Sequence, residues 1–338
     1  METSQHIFAN RQTLIVTMAE IKALMSMKDC IDIQKIAFQC NVTGDAVNAP
    51  NTWLRPAGQP RWMKLLAGFI GNGTNAMGIK VLARFPKNPP GMNIGSIVAL
   101  FDPDDGFPLA IMDGVYFTAI RTGAAGGLSA FYSARKGSRS IAVVGSGVQA
   151  KFNLLAVREL MPQVKEGFVY SRSPERRESY ARDMLAQTGI ALKPVPSVND
   201  AVANADIVIT ATNSPEPVLL KEHLRPGQHI IAVGIKSEIH PAAIAACRII
   251  ADGKQTAIED GKFSLALKAG AVSESDMQVE IGDIIAGKHP GRLNDDEITL
   301  FDSSGLAIQD VICAHYVFEK ARQAGKGTWV NLGLGELP

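Results

Sequence analysis

Two glycines in the middle of the chain have the spacing of a turn that binds phosphate groups. The segment Gly145-Ser146-Gly147-Val148-Gln149-Ala150 follows the apolar run Ile141 to Val144, and apolar residues then recur at a helical period as far as Leu160. In such a strand–turn–helix unit the glycines permit a tight bend and a close approach to a pyrophosphate, and the N–H groups that begin the helix favour the anion. Glycines that serve only the fold are the alternative, which the flanking strand and helix disfavour. The pattern predicts a dinucleotide site that includes Gly145 to Gln149.

The end of the next strand predicts which dinucleotide binds. The run Phe168 to Tyr170 is followed by Ser171-Arg172-Ser173, with Arg176 close behind. NAD sites usually carry Asp or Glu here to accept hydrogen bonds from the ribose 2′-OH, and such a carboxylate repels a 2′-phosphate. Arg172 can instead bind phosphate oxygens in bidentate fashion, with Ser171 as a further donor. We therefore predict NADPH, with NADP preferred over NAD; the alternative is a solvated basic start of a helix.

Two later strands predict the rest of the cofactor site. Asp206 to Thr210 and His229 to Val233 are short β-rich runs that end in small or polar residues. Ligands of parallel sheets bind beyond the carboxyl ends of the strands. We assign to the cofactor site the residues Thr210, Ala211, Thr212, Val233 and Gly234.

The order of these runs predicts an α/β fold with two domains. From Ser140 onward, β-rich runs alternate with helical segments, which is typical of a parallel, Rossmann-type sheet. Residues 1–120 begin with a helix near Met18 to Met27 and continue as strands broken by turns, which indicates a second, α+β domain. An amphipathic helix over 306–324 is expected to return to that domain. The predicted domains are 1–125 plus 306–338, and 126–305.

Composition limits the possible partners. The chain has 338 residues and a net charge of +1, with basic and acidic residues interspersed, so no basic stripe for nucleic acid and no polybasic membrane patch is present. The four cysteines lie far apart without a CxxC pair, which indicates neither a zinc site nor a disulfide framework. No apolar run approaches the length of a membrane span. We expect a cytoplasmic protein without metal, nucleic-acid or membrane partners.

Three segments resemble those of the ornithine cyclodeaminase/μ-crystallin family. They are Phe107 to Gly114, Ala119 to Gly127 (Ala-Ile-Arg-Thr-Gly-Ala-Ala-Gly-Gly) and Asp296 to Asp310, and with Gly78-Ile79-Lys80 and the Gly145 turn they span most of the chain. The sequences of these segments are most similar to those of the alanine dehydrogenase and ketimine reductase branches of the family. The resemblance implies that residues 126–305 bind NAD(P) and that the other domain binds substrate and forms a homodimer. It also implies hydride transfer at the α-carbon of an amino or imino acid.

The resemblance implies which residues handle the substrate. Arg121 matches an arginine that binds the substrate carboxylate, and Lys80 matches a lysine that reaches the same group. A guanidinium binds carboxylate bidentately, whereas an ammonium can both bind and pass a proton, so we predict both residues as catalytic. A structural salt bridge for Arg121 and an exposed strand lysine for Lys80 are the alternatives. Thr122 is assigned to the cofactor site.

Further matches extend the predicted substrate site. Arg61 aligns with the family's arginine-containing strand, although a surface arginine fits it equally well. Asn93 stands where many relatives have Thr, and a polar residue there would help to select the substrate. Ser304 and Gly305 are expected near the nicotinamide and the substrate, or else they cap the helix that follows.

One departure from the family bears on the reaction. Cyclodeaminases typically carry Gly-Ala-Asp or Gly-Gly-Asp at the glycine matching Gly234, and that aspartate acts on the substrate amine. This chain has a shorter loop, Gly234-Ile-Lys-Ser-Glu-Ile-His-Pro241, without Asp. Lys236, Glu238 or His240 could supply a proton, but a loop that ties strand to helix is the favoured interpretation. The missing carboxylate disfavours cyclodeamination, whereas an imine is already electrophilic and needs less help.

These observations lead to one main hypothesis. The chain is expected to be an NADPH-dependent reductase that delivers hydride to the C=N carbon of a small α-imino acid, of the ketimine or Δ1-pyrroline-2-carboxylate type. The alternatives are an ornithine cyclodeaminase or alanine dehydrogenase that uses NAD(H), and a non-catalytic protein that binds a small ligand in the presence of NADP(H).

Overall fold

The structure, a computed structural model, describes residues 11–89 and 93–334. The strands are β1 (Thr13–Val16), β2 (Ala46–Asn48), β3 (Thr52–Leu54), β4 (Trp62–Ile70), β5 (Ala76–Arg84), β6 (Ile94–Phe101), β7 (Pro108–Asp113), β8 (Ser140–Val144), β9 (Glu166–Tyr170), β10 (Ala191–Pro194), β11 (Ile207–Thr210), β12 (His229–Ala232), β13 (Arg248–Ala251), β14 (Val279–Glu280), β15 (Thr299–Asp302) and β16 (Thr328–Val330). The helices are α1 (Met18–Leu24), α2 (Met27–Thr43), α3 (Gly114–Ser133), α4 (Val148–Leu160), α5 (Pro174–Thr188), α6 (Val198–Val202), α7 (Pro241–Ile244), α8 (Lys254–Asp260), α9 (Phe263–Lys268), α10 (Ile281–Ile285) and α11 (Ala307–Ala324). Within the described ranges, the helices lack the combined length and apolar character that a membrane span needs.

The first of two compact units is built, among the described residues, from 11–26, 43–89, 93–118 and 306–334. Its sheet has the strand order β16-β1-β7-β6-β5-β4-β2, with β3 also paired to β4. All neighbouring strands are antiparallel except β1 and β7, which are parallel. Helix α11 packs on the face formed by β4, β5 and β6. Because side chains alternate along a strand, every second residue of β4 and β5 points towards this helix.

The second unit, residues 27–42 and 119–305, contains a parallel sheet. The strand order is β10-β9-β8-β11-β12-β15-β13-β14, and every neighbouring pair is parallel. Strands β11, β12 and β15 are buried along their whole length, as the apolar runs of a sheet covered on both faces predict. Val144 pairs with both Tyr170 and Thr210, so β8, β9 and β11 end level with one another. The predicted α/β fold with a Rossmann-type sheet is confirmed.

Local signals start the helices of both units. Thr17 caps α1: its hydroxyl accepts the Glu20 N–H at 3.4 Å, and the Glu20 carboxylate accepts the Thr17 N–H at 2.9 Å. Helix α5 begins after Ser173, whose hydroxyl accepts the Arg176 N–H at 3.2 Å, with Pro174 as the first helical residue. The second of these caps places the basic residues that follow β9.

The helix predicted near Met18 to Met27 is present as α1, but it ends at Leu24, and a second helix, α2, begins at Met27. Helix α2 also belongs with the second unit rather than with the first. Its Asn41 side-chain amide donates to the Glu280 carboxylate at 2.8 Å, and the Val42 carbonyl accepts from the Lys288 ammonium at 3.4 Å. The compact units are divided at 26/27, 42/43, 118/119 and 305/306. The predicted domains, 1–125 plus 306–338 and 126–305, remain a prediction.

Candidate functional site

A cleft of about 370 Å³ opens where β8, β9 and β11 end. Gly145 follows β8 with a φ of 108°, in the left-handed region that favours glycine, and a Cβ there would lie 2.5 Å from the Ala211 carbonyl oxygen. Gly147 precedes α4 as its N-cap and has no side chain to cap the first amides of the helix. A glycine-lined turn that leads into uncapped helical amides can hold a pyrophosphate. The residues present therefore fit a dinucleotide.

The residues predicted for the 2′-phosphate line the same cleft. Ser171 donates to the Ser173 carbonyl at 3.1 Å, and this contact fixes the turn after β9. The side chains of Arg172 and Arg176 are both exposed, so they can meet a phosphate without losing a buried partner. An anion that binds here would lie against the start of α5.

Most of the predicted cofactor residues are brought together. Eight of the predicted cofactor residues line the cleft, and they are Gly145, Ser146, Gly147, Ser171, Arg172, Arg176, Ala211 and Thr212. The described residues that line the cleft do not include the other predicted ones, which are Thr122, Val148, Gln149, Thr210, Val233 and Gly234. Val148 is exposed on α4, whereas Thr122 is buried in α3. The cleft thus brings eight of the predicted residues together, and the cofactor role of all fourteen remains a prediction.

Glu238 ties together the loops that follow β11 and β12. Its buried carboxylate accepts hydrogen bonds from the Thr210 hydroxyl at 2.9 Å, the Thr212 N–H at 2.8 Å, the Thr212 hydroxyl at 3.1 Å and the Gly234 N–H at 2.8 Å. Burial raises the pKa of Glu238, and the Lys262 ammonium, 3.9 Å from Oε1, opposes this rise. The interpretation of a loop that ties strand to helix therefore describes Glu238 better than that of a proton donor to the substrate.

Replacement of Glu238 by glutamine is expected to weaken both the fold and the binding of the cofactor. The amide NH₂ of glutamine would face one of the buried donors, and an unsatisfied buried donor costs about 1–3 kcal/mol. Because Thr212 lines the cleft, the KM for the cofactor should rise about tenfold, by the same energy scale. Urea unfolding and steady-state kinetics measure the two effects. The control Glu216→Gln changes an exposed residue nearby; wild-type values for Glu238→Gln would contradict the assignment.

Arg121 lies in the second compact unit, the one with the parallel sheet, in a buried cluster with Gly305 and Asp252. Its guanidinium is packed against Gly305, and a Cβ on Gly305 would lie 2.9 Å from one of its Nη atoms. The Gly305 N–H donates to the Asp252 carboxylate at 2.6 Å. Burial raises the pKa of Asp252 to about 6, with the Asp302 carboxylate adding to the effect. The structure thus brings together two predicted substrate residues, Arg121 and Gly305.

Lys80 occupies a buried position in the first compact unit, whose sheet is mainly antiparallel and which we call the antiparallel-sheet unit. It is 1% exposed, and its ammonium donates to the carboxylate of Asp310, itself fully buried, at 2.5 Å. Asp310 lies in the first turn of α11, the helix that packs on this face of the sheet. Lys80 is therefore not an exposed strand lysine. A buried ammonium held by a carboxylate has a fixed position, as a ligand or proton donor requires.

Lys64 is a residue that the sequence analysis missed. Leu66 pairs with Lys80 across β4 and β5, so Lys64, two residues earlier, lies on the same face, diagonal to Lys80. Lys64 is 7% exposed and its ammonium lies 4.9 Å from the centre of the Trp53 ring, whereas Arg61 is exposed. Side chains alternate along a strand, so Lys64 shares a face of β4 with the apolar Leu66, and this pattern in the sequence could have indicated that Lys64 is buried. The structure thus offers Lys64 rather than Arg61 as the second buried cation of this sheet.

Two predicted substrate residues have less specific surroundings. Asn93 precedes β6 and is partly buried, and its carbonyl accepts the Phe85 N–H at 2.8 Å. The Ser304 hydroxyl is buried, with no hydrogen-bond partner among the described residues. Helix α11 is capped by its own Gln309, whose side-chain oxygen accepts the Leu306 N–H at 2.8 Å. Ser304 is therefore not the cap of that helix.

The glycine turn, the parallel sheet and the cleft define a protein of the Rossmann dinucleotide-binding class. The model of the ornithine cyclodeaminase/mu-crystallin family matches residues 11–325. The chain therefore belongs to this family, and the resemblance carried by the three segments is confirmed.

Relatives with related sequences match nearly the whole chain. The alanine dehydrogenase of Archaeoglobus fulgidus is 35% identical and covers 95% of this chain and 98% of its own length. The Δ1-pyrroline-2-carboxylate reductase of Bacillus cereus is 32% identical and covers 93% and 98%.

Solved structures agree with this placement. The Δ1-pyrroline-2-carboxylate reductase of Thermococcus litoralis, in complex with NADH and L-proline, is 33% identical, with a TM-score of 0.90 and coverage of 94% of this chain and 100% of its own. An archaeal alanine dehydrogenase dimer with bound NAD is 32% identical, with a TM-score of 0.88 and coverage of 95% and 99%.

Proposed function

We propose that this protein is an NADPH-dependent reductase that delivers hydride to the C=N carbon of a small α-imino acid, of the ketimine or Δ1-pyrroline-2-carboxylate type. The observation that carries the proposal is that groups of the protein itself occupy the carboxylate of Glu238. It is the only acidic residue of the loop 234–241, and four donors within the protein occupy its carboxylate. This loop therefore offers no carboxylate to a substrate amine, which disfavours cyclodeamination. The names of the relatives agree with imine reduction.

The protein's own residues have distinct parts in this reaction. The dinucleotide, when bound, supplies the hydride. Arg121 binds the substrate carboxylate through its guanidinium. Lys80, held by Asp310, serves as a ligand for the carboxylate and as the donor of a proton to the imine nitrogen. The imine carbon gains the hydride and the nitrogen a proton, so the product is the amino acid. Lys64, Asn93, Ser304 and Gly305 complete the proposed substrate set.

A panel of substrates tests the proposal. NADPH oxidation is followed with Δ1-pyrroline-2-carboxylate, with Δ1-piperideine-2-carboxylate, and with pyruvate plus ammonia or methylamine; in parallel, ornithine and NAD are assayed for proline. We expect turnover of at least one imine and none of ornithine. Robust conversion of ornithine would contradict the proposal, and tight NADPH binding without any turnover would favour a binding protein.

The preference for NADPH over NADH is a separate part of the proposal. Arg172 and Arg176 in the cleft support it, since a guanidinium can pair with a 2′-phosphate. Arg172→Asp should raise the KM for NADPH about a hundredfold, because a favourable charge-assisted contact becomes a repulsion, and should leave the KM for NADH within about threefold. The matched control is Arg182→Asp, an exposed position on α5, the helix that begins just after Arg172, and one that does not line the cleft. Equal effects of Arg172→Asp on both cofactors would place the 2′-phosphate elsewhere.

We further propose a homodimer formed through the antiparallel-sheet unit. Among the large apolar side chains that this unit exposes are Val47, Leu54 and Ile97, and the strand pairings place all three on the sheet face opposite Lys80. Such groups are typical of a protein–protein interface when they form a patch. Light scattering after size exclusion should give twice the mass of the chain, and Ile97→Glu should shift it towards the monomer.

A further inference from the structure

The Arg121 guanidinium rests on the backbone of Gly305. Gly305 has a φ of +83°, which disfavours any residue with a side chain, and a Cβ there would lie 2.9 and 3.2 Å from the two Nη atoms of Arg121. The guanidinium therefore lies directly on the bare α-carbon. Any movement of this turn changes where the guanidinium can lie.

Asp252 fixes the position of that turn. It follows β13, is 1% exposed, and accepts the Gly305 N–H at 2.6 Å through Oδ2. Its other oxygen, Oδ1, accepts the N–H of Gly253 at 3.0 Å. Strands β13 and β15 are paired with Ala251 opposite Asp302, so Asp252 and the turn after β15 start from level positions on neighbouring strands. A short bond to a carboxylate is among the stronger hydrogen bonds in proteins.

We infer that Asp252 is a positioning residue for substrate recognition, which fixes the Gly305 turn and thereby holds the Arg121 guanidinium in the orientation that binds the substrate carboxylate. The inference rests on the proposed function, because Arg121 is a carboxylate ligand only in that proposal. Asp252 itself touches neither substrate nor cofactor in this account. Its role is exerted through Gly305.

The charge on Asp252 should make this recognition depend on pH. The charged groups around Asp252 are Arg121 from α3, Asp302 from β15, and Lys262, whose ammonium lies 3.9 Å from the Asp302 carboxylate. Burial raises the pKa of Asp252 to about 6. Protonation removes the charge that strengthens the bond from Gly305, so the affinity for the carboxylate falls as the pH drops through this value.

The first test uses Asp252→Asn, which keeps the shape and removes the charge. The probe is pyrrole-2-carboxylate, a planar carboxylate that stays ionised between about pH 5.5 and 8; its Kd is measured in the presence of NADP. At about pH 7.5 the variant should bind the probe about tenfold more weakly, which is the scale of a charge-assisted hydrogen bond, while the KM for NADPH changes less than about twofold. Asp276→Asn is the control, since Asp276 accepts a backbone N–H from Ser273 in an exposed turn.

The second test needs no variant for its main result. The wild-type protein should lose affinity for the probe as the pH falls from about 7.5 to 5.5, whereas Asp252→Asn should show a flat profile. Gly305→Ala should also lower the affinity for the probe. Combining it with Asp252→Asn should lower the affinity little further, because both substitutions act through the Arg121 guanidinium.

Two results would overturn the inference. One is a Kd that Asp252→Asn leaves unchanged. The other is a wild-type affinity that rises on acidification, which would mean that Asp252 competes with the substrate for Arg121. Failure of the proposed function is distinguishable: the wild-type protein would then neither bind the probe nor reduce an imine.

Discussion

Lys80→Met should lower kcat/KM for imine reduction by about three orders of magnitude, because it removes a proton donor and a carboxylate ligand together. It should also destabilise the fold by about 3–5 kcal/mol, since the buried Asp310 carboxylate loses its cation. Steady-state kinetics and urea unfolding measure the two losses. They have separate causes, and a second variant separates them.

The control for Lys80→Met is the double variant Lys80→Met/Asp310→Asn. Removing both charges leaves no unpaired ion in the interior, so most of the lost stability should return. Activity should not return, because the proton donor is still missing. If the double variant regains activity along with stability, Lys80 is structural and has no catalytic part. If Lys80→Met keeps kcat/KM within about tenfold, the same conclusion follows.

Arg121→Ala should raise the KM for the imino acid and lower kcat/KM by about a hundredfold or more, because a bidentate, charge-assisted contact with the carboxylate is lost. The KM for NADPH should stay near the wild-type value. Arg121→Lys keeps the charge but not the fork of donors, so it should recover only part of the loss. Added guanidinium ion should partly restore Arg121→Ala. A loss confined to stability, with an unchanged KM for the imino acid, would contradict the role.

Of the eight strands of the parallel sheet, the sequence predicted four that are neighbours, β9, β8, β11 and β12. Its central strands, such as β8 and β11, are buried on both faces and therefore appear as continuous apolar runs. The glycine turn and Arg172 could also be selected as candidates from the sequence, because each is recognised from residues that are close together in the chain. The position of β15 between β12 and β13 could not be predicted, because it depends on how distant segments pair.

The buried partners of the candidate site could not be predicted from spacing. Asp310 lies 230 residues from Lys80, and Gly305 lies 53 residues from Asp252. The sequence placed Glu238 in a loop that ties strand to helix, but its four hydrogen-bond donors could not be predicted, because they come from the end of β11 and from the separate loops that follow β11 and β12. In each case the chemistry of the residue was visible in the sequence, but its environment was created by the fold.

The most direct measurement is the fate of a labelled hydride. The protein is incubated with Δ1-pyrroline-2-carboxylate and NADPH that carries deuterium at the transferred position of C4, and the product is analysed by mass spectrometry and NMR. The account predicts L-proline with deuterium at the α-carbon and one NADPH consumed for each proline formed. Proline without deuterium at the α-carbon, or proline formed with no matching consumption of NADPH, would contradict it.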